Sequence, residues 1–174
     1  MNGAGAAPAS APAATLRRRL AAMVYEALIV TAIAFLAGLS FVLAAAAVTA
    51  DARVRLEGGA RFALQLWVLA VLGAYFVWFW KRGQTVPMKT WKLRLVAADG
   101  GAVGTRAAVV RFAVAAALAV PALVGALELR QQPASAWAWA ALLPAVAALA
   151  WCLRDPDRQS LYDRIARTRL VHAA

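Results

Sequence analysis

Leu20–Ala50 reads LAAMVYEALIVTAIAFLAGLSFVLAAAAVTA, a long apolar run broken by a single charge, Glu26. A helix needs about 20 apolar residues to cross a hydrocarbon core about 30 Å thick. At about 1.5 Å per residue this run exceeds that length, so it predicts a helix over 20–48 that tilts or lays its first turns in the interface. Arg17, Arg18 and Arg19 precede it, and Val48-Thr49-Ala50 imitates a signal-peptide cleavage site. A signal peptide, however, has an apolar region of only about 7–15 residues. The run is therefore read as an uncleaved helix.

Three further blocks repeat the pattern. Phe62–Trp80 has only Gln65 as a strongly polar residue, Phe112–Leu127 carries no charge, and Pro133–Leu153 carries none either. They predict helices over about 62–80, 110–129 and 133–153. Pro121 and Pro144 fall inside two of them, which is tolerable where neighbouring helices satisfy the freed carbonyls. Trp67, Trp78, Trp80, Trp137, Trp139 and Trp151 lie toward block ends, where tryptophan favours the membrane–water boundary. Across the chain 64% of residues are hydrophobic, against about half in a soluble domain. The fold class expected is an all-α membrane protein, a four-transmembrane-helix bundle whose partner is the lipid bilayer.

The remaining segments are short. Residues 1–15 are mostly Ala, Pro, Gly and Ser, a composition that cannot order itself and reads as a disordered tail. The membrane domain then spans 16–171. Gly58-Gly59 marks a loop after the first helix. Residues 81–108 form the longest polar connection, where Trp91, Leu93 and Leu95 alternate with Lys92 and Arg94 before the turn signal Asp99-Gly100-Gly101. A short hairpin or interfacial segment between helices 2 and 3 is expected. In the C-terminal segment 154–174, Ser160-x-x-Asp163 resembles a helix-start cap, and Leu161 and Ile165 are four apart. A short amphipathic helix on the membrane surface is expected there.

The net charge of +11 would suggest nucleic acid in a soluble protein. Here the charges lie between apolar blocks, which makes them topological, and no nucleic-acid partner is expected. With four helices and the N-terminus inside, fifteen of the nineteen basic residues fall on the cytoplasmic side. The other four are Arg53, Arg55, Arg61 and Arg130. That bias predicts an inner-membrane protein with both termini cytoplasmic. Cys152 and His172 are single, so neither an intrachain disulfide nor a His/Cys metal site is available. Cys152 is expected at a helix end and His172 in a solvated tail. No cofactor is implied. The Gly-x-Ser-x-Gly, His-Glu-x-x-His and Cys/His signatures are missing, so the chain is not read as an enzyme.

Glu26 is the informative residue. It lies about 9 Å beyond Leu20 along the helix, where an ionisable side chain costs on the order of 3 kcal/mol to insert. A bland reading lets it snorkel back toward the interface. The sharper one gives it a polar partner inside the bundle. Arg19 shares its face but is about 10.5 Å away along the axis, too far for a direct pair. Arg111, the basic loop 81–94 and a tail arginine are the candidate partners.

RRLAAMVYE, with Arg19 and Glu26, resembles the start of the RDD family, which is named for one arginine and two aspartates. Gly83-Gln84-Thr85 resembles its GQT element, and Trp91–Val96 (WKLRLV) the strand that follows. Arg158-Gln159-Ser160-Leu161-Tyr162-Asp163 and Ala166-Arg167-Thr168 resemble its closing segment. The chain departs from the family in two places. The first aspartate is Glu26, and the Gly-Lys usual after GQT is replaced by Val86-Pro87-Met88-Lys89, which leaves Lys89 as the lysine-like position. The resemblance implies a membrane protein for which transport, including cation/proton exchange, is suggested. Together with Arg111, placed as a candidate partner of Glu26, it marks Arg19, Glu26, Gln84, Thr85, Lys89, Arg94 and Asp163 as a functional or structural polar cluster. A non-catalytic scaffold or assembly partner is the alternative, and a homo-oligomer or a membrane partner protein stays open.

A reporter fused after Ala174 is expected to be active only in its cytoplasmic form. A periplasmic signal would reverse the topology.

Overall fold

The computed structural model describes residues 15–49, 56–156 and 159–173. In chain order the elements are α1 (Leu16–Thr49), α2 (Gly58–Lys81), α3 (Val86–Thr90), β1 (Leu93–Ala97), α4 (Thr105–Gln131), α5 (Ala136–Arg154), α6 (Leu161–Ile165) and β2 (Thr168–His172). α1, α2, α4 and α5 are long and apolar enough to cross a membrane, as the four apolar blocks predict. All but the last residue of the tail expected over 1–15, and Arg53, Arg55 and Arg158, lie outside the described residues.

Three of the four long helices outrun their apolar blocks. α1 takes in Arg17–Arg19, α2 starts at Gly58 where a loop was expected, and α4 starts at Thr105. Apolar blocks mark where lipid begins. A helix already nucleated gains a hydrogen bond with each residue added, so it runs on into polar sequence. α5 instead starts later than its block, at Ala136 rather than Pro133. Ser135 holds the extended conformation of an N-cap, and the Trp139 indole donates to the Pro133 carbonyl (3.1 Å).

The outer faces of these helices suit lipid. Leu28, Phe35, Leu143 and Leu153 are each about two-thirds exposed, an arrangement water would not tolerate over a whole bundle. Contacts between helices use small residues. A Cβ on Gly125 of α4 would sit 2.7 Å from the Ala138 carbonyl oxygen and 3.1 Å from the Ala141 Cβ on α5. Such close approach is how membrane helices gain packing. A Cβ on Gly73 of α2 would sit 3.0 Å from the Phe112 ring of α4. The Trp67 indole of α2 donates to the Ala37 carbonyl of α1 (3.1 Å).

A small polar-end layer covers one end of the bundle, and it corrects two expectations. β1 does not turn back on itself in a hairpin. It pairs antiparallel with β2 from the C-terminal segment, with Leu95 opposite Leu170 at the centre. The turn at Asp99-Gly100-Gly101 does form: Gly101 N–H donates to the Asp99 carboxylate (2.9 Å). The chain then enters α4 instead of a return strand. In the C-terminal segment the expected Ser160–Asp163 cap and short helix do form, as α6, but the segment goes on past them. α6 ends after five residues, Arg167 takes a left-handed φ of 52°, and β2 follows. His172, expected in a solvated tail, is half-buried in that strand. Gly83, with φ 82°, lets its carbonyl accept the Leu95 N–H (2.6 Å). Leu93, Leu95 and Leu170 pack into one core with Ala22, Trp80, Met88, Val103 and Ala108, so the sheet is seated on the helix ends.

Gly125→Val is expected to push α4 off α5 and cost about 1–3 kcal/mol, as overpacking does. Thermal unfolding in detergent measures it.

Candidate functional site

Asp163 is the best-connected side chain in the polar-end layer. Ser160 caps α6, and its hydroxyl and backbone N–H both donate to Asp163 Oδ2. This capping box fixes the carboxylate where it can meet groups from two membrane helices. Arg111, the seventh residue of α4, donates to Asp163 Oδ1 and to the Thr168 hydroxyl (2.9 Å) at the start of β2. The Arg111 guanidinium lies 4.8 Å from the ring centroids of both Trp80 and Tyr162, an attractive placement for a cation. Arg19 of α1 reaches Asp163 Oδ2 at 3.9 Å and donates to the Leu170 carbonyl (3.2 Å). Cys152, in the last turn of α5, interacts with that same guanidinium. All three charged side chains are buried.

Glu26 forms a second cluster. Its Oε1 accepts from the Tyr75 hydroxyl of α2 (2.9 Å). Its Oε2 accepts from the Thr85 hydroxyl (2.6 Å). Thr85 is fully buried and is the N-cap of α3, accepting from Met88 N–H (3.4 Å). The cationic partner expected for Glu26 is therefore replaced by two hydroxyls, one of them in the 81–94 loop. Arg111 is held by Asp163 instead. Among the described residues no lysine or arginine pairs with Glu26.

The other expected site residues divide. Gln84 donates to the Leu93 carbonyl (2.8 Å) and so braces the entry to β1. Arg94 lies over Gly83, where an added Cβ would meet its Nε at 3.3 Å. Lys89 is exposed on α3 and stands outside both clusters. Trp80, placed at the membrane boundary by its sequence position, is buried against Arg111 instead.

Several partners escape sequence reading. Tyr75 sits in an apolar block with one polar tip as its only signal. Ser160 was legible as a helix cap and Thr168 as part of the closing segment, but neither pattern announces a contact with the Arg111–Asp163 pair. Asp155, just past α5, accepts from the Arg164 guanidinium (2.8 and 3.0 Å) and from Gln159 N–H (3.1 Å), which ties the chain into α6. Its position directly after an apolar block was the available cue. Among the described residues no group of three or more His, Cys, Asp or Glu gathers as metal ligands.

Fold and site together define a four-helix membrane protein with a buried Arg–Asp–Arg cluster and a separate membrane-helix carboxylate. The RDD family profile matches residues 13–167, and the chain belongs to that family. No curated protein and no solved structure matches it.

Asp163→Ala leaves two buried guanidiniums without their carboxylate. It is expected to cost on the order of 3–5 kcal/mol, read as loss of protein from the membrane and earlier melting. The exposed Lys89→Ala should stay within about 0.5 kcal/mol.

Proposed function

We propose that this protein exchanges protons or small monovalent cations across the cell's inner membrane, with Glu26 as the exchanging group. The observation that carries the proposal is the company Glu26 keeps. A carboxylate inside a membrane helix is costly and usually marks an ion or proton path. Both of its oxygens accept from neutral hydroxyls, Tyr75 and Thr85. Its missing counter-charge is best supplied from outside, by a proton or a cation. The bias of basic residues puts Glu26 near the cytoplasmic ends of the helices, with both termini cytoplasmic. The role is not enzymatic, and it admits assembly as a homo-oligomer or with a membrane partner.

The Arg19–Asp163–Arg111 cluster favours a second reading, a non-catalytic scaffold. Its charges are spent on one another and on backbone and hydroxyl groups, which suits holding helix ends together. On that reading every defect tracks the amount of folded protein.

Glu26→Gln keeps an oxygen for one hydroxyl and should leave protein abundance near normal. In reconstituted vesicles it is expected to abolish ion-dependent proton flux. Undiminished flux would sink the transport reading and favour the scaffold.

A further inference from the structure

The two connections that form the polar-end layer match one another residue by residue at a constant spacing. Gln84 matches Gln159, Thr85 matches Ser160, Lys89 matches Arg164, Lys92 matches Arg167, and Arg94-Leu95-Val96 matches Arg169-Leu170-Val171. The structure repeats with the sequence. Thr85 and Ser160 are both extended N-caps, with φ of −81° and −73°. Each caps a five-residue helix. Lys92 and Arg167, the two non-glycine residues with positive φ among those described, take 51° and 52° at corresponding positions. A five-residue strand with the same burial pattern follows each.

The pairing register carries the relation into three dimensions. Leu95 faces Leu170 at the centre of the ladder, and these two are counterparts in the match. An antiparallel pair that places counterparts opposite each other has a local two-fold axis between them. The helices follow suit. α1 and α2 pack together and precede the first turn, which rests on α1. α4 and α5 pack together and precede the second, which rests on α4.

We infer that the chain is two equivalent units, each a helix pair, a capped turn and a strand, related by a two-fold axis through Leu95 and Leu170. Glu26 and Arg111 hold corresponding stations, and the first station takes a proton or monovalent cation where the second has its own ion pair. Each entry helix sends an ionisable side chain to the capped turn of its own unit, Arg111 from α4 to the α6 turn and Glu26 from α1 to the α3 turn, while Arg19 of α1 crosses to Asp163. In the second unit the third helical position is Asp163, which answers Arg111. In the first unit that position is Met88, buried and neutral. The first unit thus has the carboxylate without a cation, and its cap hydroxyl donates to Glu26 as Ser160 donates to Asp163. The cation assignment rests on the function proposed above; the two-unit relation does not.

Converting the first station into a copy of the second tests the inference. Glu26→Arg alone should remove most of the protein from the membrane. Adding Met88→Asp should return most of that abundance and melting temperature, with ion exchange lost. A double variant no more abundant than Glu26→Arg overturns the equivalence of the stations, whatever Glu26→Gln does to flux. A recovered double variant that still exchanges ions overturns the cation assignment and the proposed function, and leaves the two units standing. If Glu26→Arg alone is tolerated, Met88→Lys decides. It should raise the melting temperature beside Glu26 and lower it in the Glu26→Gln background, a coupling that a double-mutant cycle isolates. Equal shifts in both backgrounds overturn the inference.

Discussion

The Asp163 carboxylate is the point on which the polar end of the molecule hangs. It receives Arg111 from α4, Arg19 from α1 and the cap of its own short helix. One buried anion thereby fixes two membrane helices and the C-terminal segment relative to each other. Arg111 extends the tie to Thr168, and Arg19 extends it to the Leu170 carbonyl. Both contacts fall on β2, so the cluster also delivers the strand that pairs with β1. A buried ion pair gains little over an apolar core of the same shape, while a buried charge stripped of its partner is strongly destabilising. The cluster therefore acts through specificity of arrangement: other placements of the C-terminal segment leave two arginines unanswered.

Glu26 stands apart because it has been given a different kind of neighbour. Hydroxyls can donate to a carboxylate and can accept from its protonated form. A guanidinium can only donate, and it holds a carboxylate in one charge state. Tyr75 and Thr85 thus allow Glu26 to change charge without the structure around it changing its hydrogen-bond partners. The two clusters thus hold their carboxylates differently: Asp163 lies between guanidiniums and Glu26 between hydroxyls.

The apolar architecture was legible in the residues because lipid imposes a crude rule: long apolar runs span. The ends of the helices were less legible, since α1, α2 and α4 continue through charged or glycine-containing sequence, where each added residue gains a backbone hydrogen bond. The β1–β2 pairing was hidden for a different reason. Alternation in residues 91–95 announces a strand but not its mate, and the mate lies far away in the sequence. The polar cluster was half visible. Charges in or next to apolar blocks flagged Arg19, Glu26 and Arg111, and the capping pattern and family resemblance flagged Asp163, Ser160 and Thr85, while Tyr75 carried no flag. Charge alone also suggested an arginine for Glu26, because a sequence does not say that Asp163 has already claimed it.

The departures from the family pattern fit together at the Glu26 station. A glutamate is longer than an aspartate by one methylene, about 1.5 Å. Its two oxygens reach α2 and the α3 cap at once, at 2.9 and 2.6 Å. Drawn back by a bond length, a carboxylate at the same backbone position would lose contact with at least one of them. The cap it reaches is stiffened by Pro87, fully buried in the first turn of α3, where a fixed φ suits the helix start. Lys89, the lysine-like position after Gly83-Gln84-Thr85, is exposed and stands outside the Glu26 cluster. Longer acid, rigid cap and exposed lysine act in one direction: the carboxylate is held between hydroxyls, with no lysine or arginine paired to it among the described residues.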